Sequence, residues 1–156
     1  MKRKIYLASS WRNQQQPEVL SALRDEGYEV YDFRNPAEGQ DGFSWEELDR
    51  DWMGWNPVEY AELVTTHPIA AKGFSFDKAA LDWCDTCVLL LPSGKSAHLE
   101  AGYAAGQGKQ VVVLLNEKDF SPELMYLLCD ALVCNLDDLL WYLRFDNMKC
   151  EFVGRQ

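Results

Sequence analysis

Glu100, in "SAHLEAGYAAG", and Asp77, in "SFDKAALDWCD", are the two residues whose type and position suit bond-making chemistry. Glu100 follows the apolar run "TCVLLLP" by one short loop, so it falls just past the carboxyl end of a predicted strand, where open α/β folds place their ligands. Its neighbours Ala97, Ala101, Gly102, Ala104 and Ala105 are small and let a ligand or another chain come close. Asp77 lies one helix length before the same strand. Helices covering a parallel sheet run antiparallel to its strands, so that helix returns Asp77 to the edge where Glu100 sits. Asp85, slightly more than two helical turns further on, is carried to the opposite edge. Two converging carboxylates are the equipment for acid–base and nucleophilic chemistry at a glycosidic carbon. Taken singly, each acid is equally explained as a first-turn residue that favours the helix dipole.

The same stretch contains "PSGKS", which raises the question of a phosphate loop. Such a loop needs a glycine five residues before Gly94, and that position is Leu89, inside the strand. Residues 92–96 are also too few to wrap a phosphate with successive amides. Gly94-Lys95 is more simply a turn with an exposed lysine. At the end of the first strand, Ser9, Ser10 and Arg12 have the donors to bind an anion or sugar hydroxyls. They also fit a surface loop with an N-cap serine. His98 either lines the site or serves a structural role at the helix start. The second histidine, His67, is far away in the chain, so no metal-ligand cluster and no cofactor are expected. Cysteines stand at 84, 87, 129, 134 and 150. Cys84 and Cys87 have C-x-x-C spacing, but they fall where a helix ends rather than where one begins, which favours ordinary buried thiols.

Positioning these residues requires alternating strands and helices. Residues 4–9, 28–33, "TCVLLLP", "KQVVVLL" and "ALVC" read as five strands. Helices are expected over 14–26, 74–85, 97–107, "PELMYLLC" and "LDDLLWYLRF", with Gly27 and Gly108 as stops. The pattern predicts one α/β domain over residues 1–156 with a doubly wound, open, parallel five-stranded sheet in the order 2-1-3-4-5, flavodoxin- or Rossmann-like. Residues 34–73 interrupt it with an aromatic-rich helical insertion containing Trp45, Trp52, Trp55 and Tyr60. Ser44 and Glu47 there have capping-box spacing. The insertion reads either as packing on the core or as a lid over a ligand.

The 156 residues carry a net charge of −10. That field repels nucleic acid polymers and anionic membranes. No apolar run is long enough to span a bilayer and no leader is recognisable, so a cytoplasmic protein is expected.

Three stretches together resemble the nucleoside 2-deoxyribosyltransferase family and the related 2′-deoxynucleoside 5′-monophosphate N-glycosidases: "IYLASSW", the Asp-x7-Asp of "DKAALDWCD", and "SAHLEAGYAAGQGK" with its Glu-x-Gly. The resemblance runs to "SPELM" and is weakest over residues 34–66. It implies a double-displacement mechanism on a nucleoside or nucleotide. Glu100 would be the nucleophile, Asp77 the acid for the departing base, and Tyr6 a hydrogen-bonding partner of Glu100. It also implies a homodimer or larger assembly in which a neighbouring subunit completes the pocket. The chain departs from the family pattern at several positions. Ser93 replaces the transferases' base-binding aspartate but matches the serine of the monophosphate hydrolases, as Ser10-Trp11-Arg12 matches their S-x-R. Glu123 falls where relatives place Asn or Ser, and an acid there repels a 5′-phosphate. Hydrolase versus transferase, and 5′-hydroxyl versus 5′-phosphate, stay open at this point. So does a non-catalytic nucleotide-binding or signalling module on the same scaffold.

Overall fold

Alternate residues of the central strands are apolar on both sides, so each strand must be covered on both faces. In the computed structural model, which describes residues 2–115, 118 and 120–145, this is what forms. The strands are β1 (Lys4–Ala8), β2 (Glu29–Tyr31), β3 (Thr86–Leu90), β4 (Gln110–Leu114) and β5 (Ala131–Val133). They make one parallel sheet in the order β2-β1-β3-β4-β5, and β3 is buried along its whole length. The helices are α1 (Gln16–Asp25), α2 (Pro57–Thr66), α3 (Pro68–Trp83), α4 (Lys95–Gly106) and α5 (Leu136–Phe145).

The two-residue period of the strands divides the core. Ile5, Leu7, Val88, Leu90, Val112 and Leu114 pack with Leu23 of α1 and with Leu139 and Leu143 of α5. Tyr6, Ala8, Cys87, Leu89, Val111 and Val113 face the other way, against Leu81 of α3 and Ala97, Ala101 and Ala104 of α4. Each fully buried leucine contributes about 1.5–3 kcal/mol. The division puts Tyr6 on the same face as the helices that carry Asp77 and Glu100. Gly27 and Gly108 take positive φ (84° and 71°) and end α1 and α4 in the left-handed turns expected of them.

The segment between β2 and α3 differs from expectation in two ways. Ser44 and Glu47 do not form a reciprocal cap. The Ser44 hydroxyl accepts from the Glu46 amide at 3.3 Å and opens only a 3₁₀ turn, Trp45–Glu47. The capping box sits at Asn56 and Glu59 instead, with Pro57 at the first helical position of α2. Likewise α3 begins at Pro68, capped by His67, rather than at 74, so the insertion ends earlier than its sequence suggested. In both helices a proline whose missing N–H costs nothing at the first turn sets the start. The "PELMYLLC" stretch is a 3₁₀ turn, Leu124–Leu128, not an α-helix, with the Glu123 carboxylate accepting from the Met125 amide at 2.9 Å.

Two glycines let the insertion lie against the core. A Cβ on Gly42 would stand 2.4 Å from the Phe33 carbonyl oxygen and 2.4 Å from Trp11 Cζ2; one on Gly73 would stand 2.8 Å from the Phe43 ring. The Phe43 ring can shift, whereas the Phe33 carbonyl is backbone. Gly42→Ala is therefore expected to cost about 1–3 kcal/mol and to displace Trp11. Denaturant melting followed by tryptophan fluorescence checks this, and an unchanged midpoint contradicts it.

Candidate active site

Parallel pairing sets Tyr6 of β1 opposite Tyr31 of β2, and their rings stack at 5.1 Å. The Tyr31 hydroxyl reaches α3 and donates to Asp77 Oδ1 at 2.8 Å. Glu100 arrives from the second turn of α4. Asp77 and Glu100 line one cavity of about 510 Å³, within the range typical of small-molecule sites. Asp85 is at the other end of the sheet, as its spacing requires. Its carboxylate accepts from the Lys4 amide at 3.0 Å and from the Thr86 hydroxyl at 2.7 Å.

Burial governs the ionisation of this group. It pushes the Glu100 carboxyl up to about 7; the nearby Asp77 charge adds to the rise, and the Tyr6 hydroxyl opposes it. Burial also raises Asp77, against the hydrogen bond from Tyr31. Both tyrosines are raised above the ordinary phenol value, mainly by burial and then by the adjoining carboxylates, so they remain donors. The Tyr6 hydroxyl is sealed from solvent and lacks a partner in full hydrogen-bond geometry. Glu100 is the charge it feels most.

The cavity walls are aromatic. Trp11 and Phe33 come from the loops after β1 and β2, and Phe43, Trp45 and Trp52 come from the insertion. Trp45 is held edge-on by Phe43, Trp55 and Tyr60, at centroid distances of 4.8, 5.9 and 6.0 Å. The Trp55 indole in turn donates to Asp49 at 2.7 Å. The insertion packs on itself through these rings and also walls the cavity. Ser9, Ser44, Ser96 and Glu46 complete the lining used below.

The remaining residues singled out by sequence separate into two groups. Ser9 lines the cavity, though its hydroxyl donates to the Leu90 carbonyl at 3.0 Å. The Ser10 hydroxyl accepts from the Arg12 amide at 3.1 Å, and Arg12 itself is exposed and outside the lining. Ser93, His98 and Glu123 border a different cavity, also about 510 Å³. Residues 98 and 100 stand about 200° apart around α4, which puts His98 and Glu100 on opposite sides of the helix. His98 Nδ1 lies 2.8 Å from the Gly94 carbonyl, which can only accept, so Nδ1 carries a proton. Nε2 is left to accept from the Tyr126 hydroxyl at 2.9 Å.

Sequence reasoning missed Tyr31 and Arg34. Arg34 lies over the Trp11 and Phe33 rings, at 5.5 and 5.8 Å, and donates to the carbonyls of Ser10, Trp11 and Asn13. It fixes the loop that carries Trp11. Among the described residues no group of three or more His, Cys, Asp or Glu is placed to hold a metal ion. Cys84 and Cys87 are buried, and burial raises both thiols, the reverse of an activated redox pair. Cys150 lies outside the described residues. No described helix is long and apolar enough to cross a membrane.

No protein-family model and no curated protein sequence matches the chain. Solved structures do match. A conserved protein from Enterococcus faecalis V583 aligns over 94% of this chain and 99% of its own, with a TM-score of 0.58 and 16% identity. The 2-deoxyribosyltransferase from the psychrotolerant Bacillus psychrosaccharolyticus aligns over 86% and 88%, with a TM-score of 0.55 and 20% identity. The CMP N-glycosidase BcmB from Clostridium botulinum aligns over 91% and 98%, with a TM-score of 0.47 and 18% identity. The fold is therefore an open, doubly wound parallel α/β sheet. The deoxyribosyltransferase shares it, as the resemblance of "IYLASSW" and "SAHLEAGYAAGQGK" implied.

Proposed function

We propose that this chain cleaves or transfers the N-glycosidic bond of a nucleoside-type substrate. The observation that supports it is the pairing of Asp77 with Glu100 in one aromatic-walled cavity. A Glu100 oxygen attacks C1′ as the C1′–N bond breaks, and the bonding pair leaves with the base. Asp77 gives its proton to that base nitrogen. Asp77, now ionised, takes a proton from water or from a second base as it attacks C1′, and the Glu100–C1′ ester bond breaks to return the carboxylate. Two inversions give net retention. Tyr31 holds Asp77 and is a positioning residue. Tyr6 stabilises the Glu100 carboxylate by donating to it.

The shared fold of the Bacillus deoxyribosyltransferase adds weight to this reading. A homodimer is part of the proposal. Leu99 on α4 and Leu124, Met125, Leu127 and Leu128 are exposed apolar residues, an unusual concentration for a free surface.

The test is incubation with ribo- and deoxyribonucleosides and their 5′-monophosphates, alone and with a second free base, followed by chromatography. Base release or exchange from at least one is expected. Absence of both across the whole panel contradicts the proposal, and ligand-induced melting shifts without turnover would assign a binding module instead.

A further inference from the structure

The geometry points to a substrate whose base carries a positive charge, a refinement that rests on the N-glycosyl reading above. The cavity is lined by three carboxylates, Glu46, Asp77 and Glu100, and by the rings of Trp11, Phe33, Phe43, Trp45 and Trp52. No lysine or arginine is among its lining residues. The cations around it stand outside that lining: Arg12 is exposed, Arg34 donates through Nη2 to three backbone carbonyls beside Trp11 and Phe33, and Lys72, which borders an adjoining cavity with Asp77, donates to Gln40 at 2.8 Å.

Arg34 already lies over the Trp11 and Phe33 rings, so the walls that favour an arriving cation are those of the insertion, Phe43, Trp45 and Trp52. An aromatic face presents the negative side of its quadrupole, and stacked or enclosing rings are the usual cage for a delocalised or quaternary cation. The carboxylates add a negative potential in a site partly shielded from water, where charges interact more strongly than in bulk. A 5′-phosphate inside the cavity would meet three acids and no lysine or arginine in the lining. A neutral base gains stacking and hydrogen bonds to groups such as Ser44 and Ser96, but no attraction between charges.

The chemistry agrees with the electrostatics. When a base bonded to C1′ is cationic, breaking the C1′–N bond returns the electron pair to a positively charged nitrogen, and the base departs neutral. Glu100 supplies the pair for the new C1′–O bond, and no proton from Asp77 is needed in that step. An arriving cation also favours the ionised form of Glu100, which burial otherwise opposes.

The experiment compares an N-ribosylpyridinium, whose charge is fixed, with cytidine of similar size, each also in its 2′-deoxy form, after subtraction of the enzyme-free rate. We expect kcat/KM for the pyridinium to exceed that for cytidine with the same sugar by about ten-fold or more. Glu46→Gln is expected to lower that ratio by about three-fold or more. Glu46 is exposed, so the substitution leaves the fold in place. It also cannot alter the intrinsic reactivity of either substrate, and thereby separates charge selection from leaving-group reactivity. A ratio near one, or a ratio that Glu46→Gln leaves untouched, overturns charge selection; base release from cytidine would then leave the N-glycosyl reading standing. No release from any nucleoside overturns both.

Discussion

Glu100→Gln is expected to abolish base release and, at pH 8, to leave the protein more stable than it was. In the proposed mechanism this removes the nucleophile and with it the covalent route, an effect on the order of 10⁴-fold or more in kcat. The stability gain follows from burial. The Glu100 carboxyl is pushed up to about 7 in the folded protein from an ordinary value of 4.5. The folded state therefore holds a proton that the unfolded chain has released between those two values, and stability falls as pH rises through that window. Above pH 7 the wild type carries the full cost of a buried carboxylate, at most about 3 kcal/mol. Glutamine has no charge to desolvate and escapes it. Wild type and variant should melt alike at pH 4, and the variant should melt higher at pH 8. Full turnover by Glu100→Gln, or a melting difference that does not change with pH, would count against the assignment.

Asp77→Asn is expected to cost about 10²–10⁴-fold on a neutral nucleoside and to reshape the pH profile. Glu100 feels the Asp77 charge, so the two carboxylates are treated as titrating together. In the proposed mechanism the reactive form holds one proton, on Asp77, with Glu100 ionised. Activity of the wild type should rise as the pair loses its first proton and fall, near pH 7, as it loses the second. Tyr6, Tyr31 and Cys87 do not add a limb there, because all three are raised by burial and keep their protons. Asparagine keeps a carbonyl for the Tyr31 hydroxyl but has no proton to give and no charge to hold Glu100 up. The falling limb should vanish and the rising limb should move to lower pH. A profile in Asp77→Asn with the wild-type shape would show that the proton comes from elsewhere.

The sheet was legible because its signal is local and periodic. "KIYLA", "TCVLL" and "QVVVL" alternate between two buried faces, and the intervening segments are helical by spacing. The convergence of Asp77 and Glu100 was legible for the same reason: chain direction in a β-α-β unit is fixed, so counting helix lengths places a residue at one sheet end or the other. Tyr31 was not legible as a partner of Asp77. It depends on the register of two strands that the chain does not join directly on that face, Tyr6 opposite Tyr31. His98 shows the opposite difficulty. It is two residues from Glu100 in sequence and on the far side of the same helix, so proximity along the chain said nothing about a shared cavity. The Ser44–Glu47 spacing also occurs in a segment too short and too rich in aspartate and glycine to sustain an α-helix, and the cap formed where Asn56 precedes proline.

The walls contributed by Phe43, Trp45, Glu46 and Trp52 all come from one uninterrupted stretch between β2 and α3, while the two carboxylates proposed to react come from α3 and α4. On the proposed function, selectivity and bond cleavage would be encoded in separable cassettes of the gene. Exchanging residues 42–55 for another loop of matching span should redirect which compounds are accepted without rebuilding the machinery beneath, a division of labour that lends itself to diversification by natural drift or by library design.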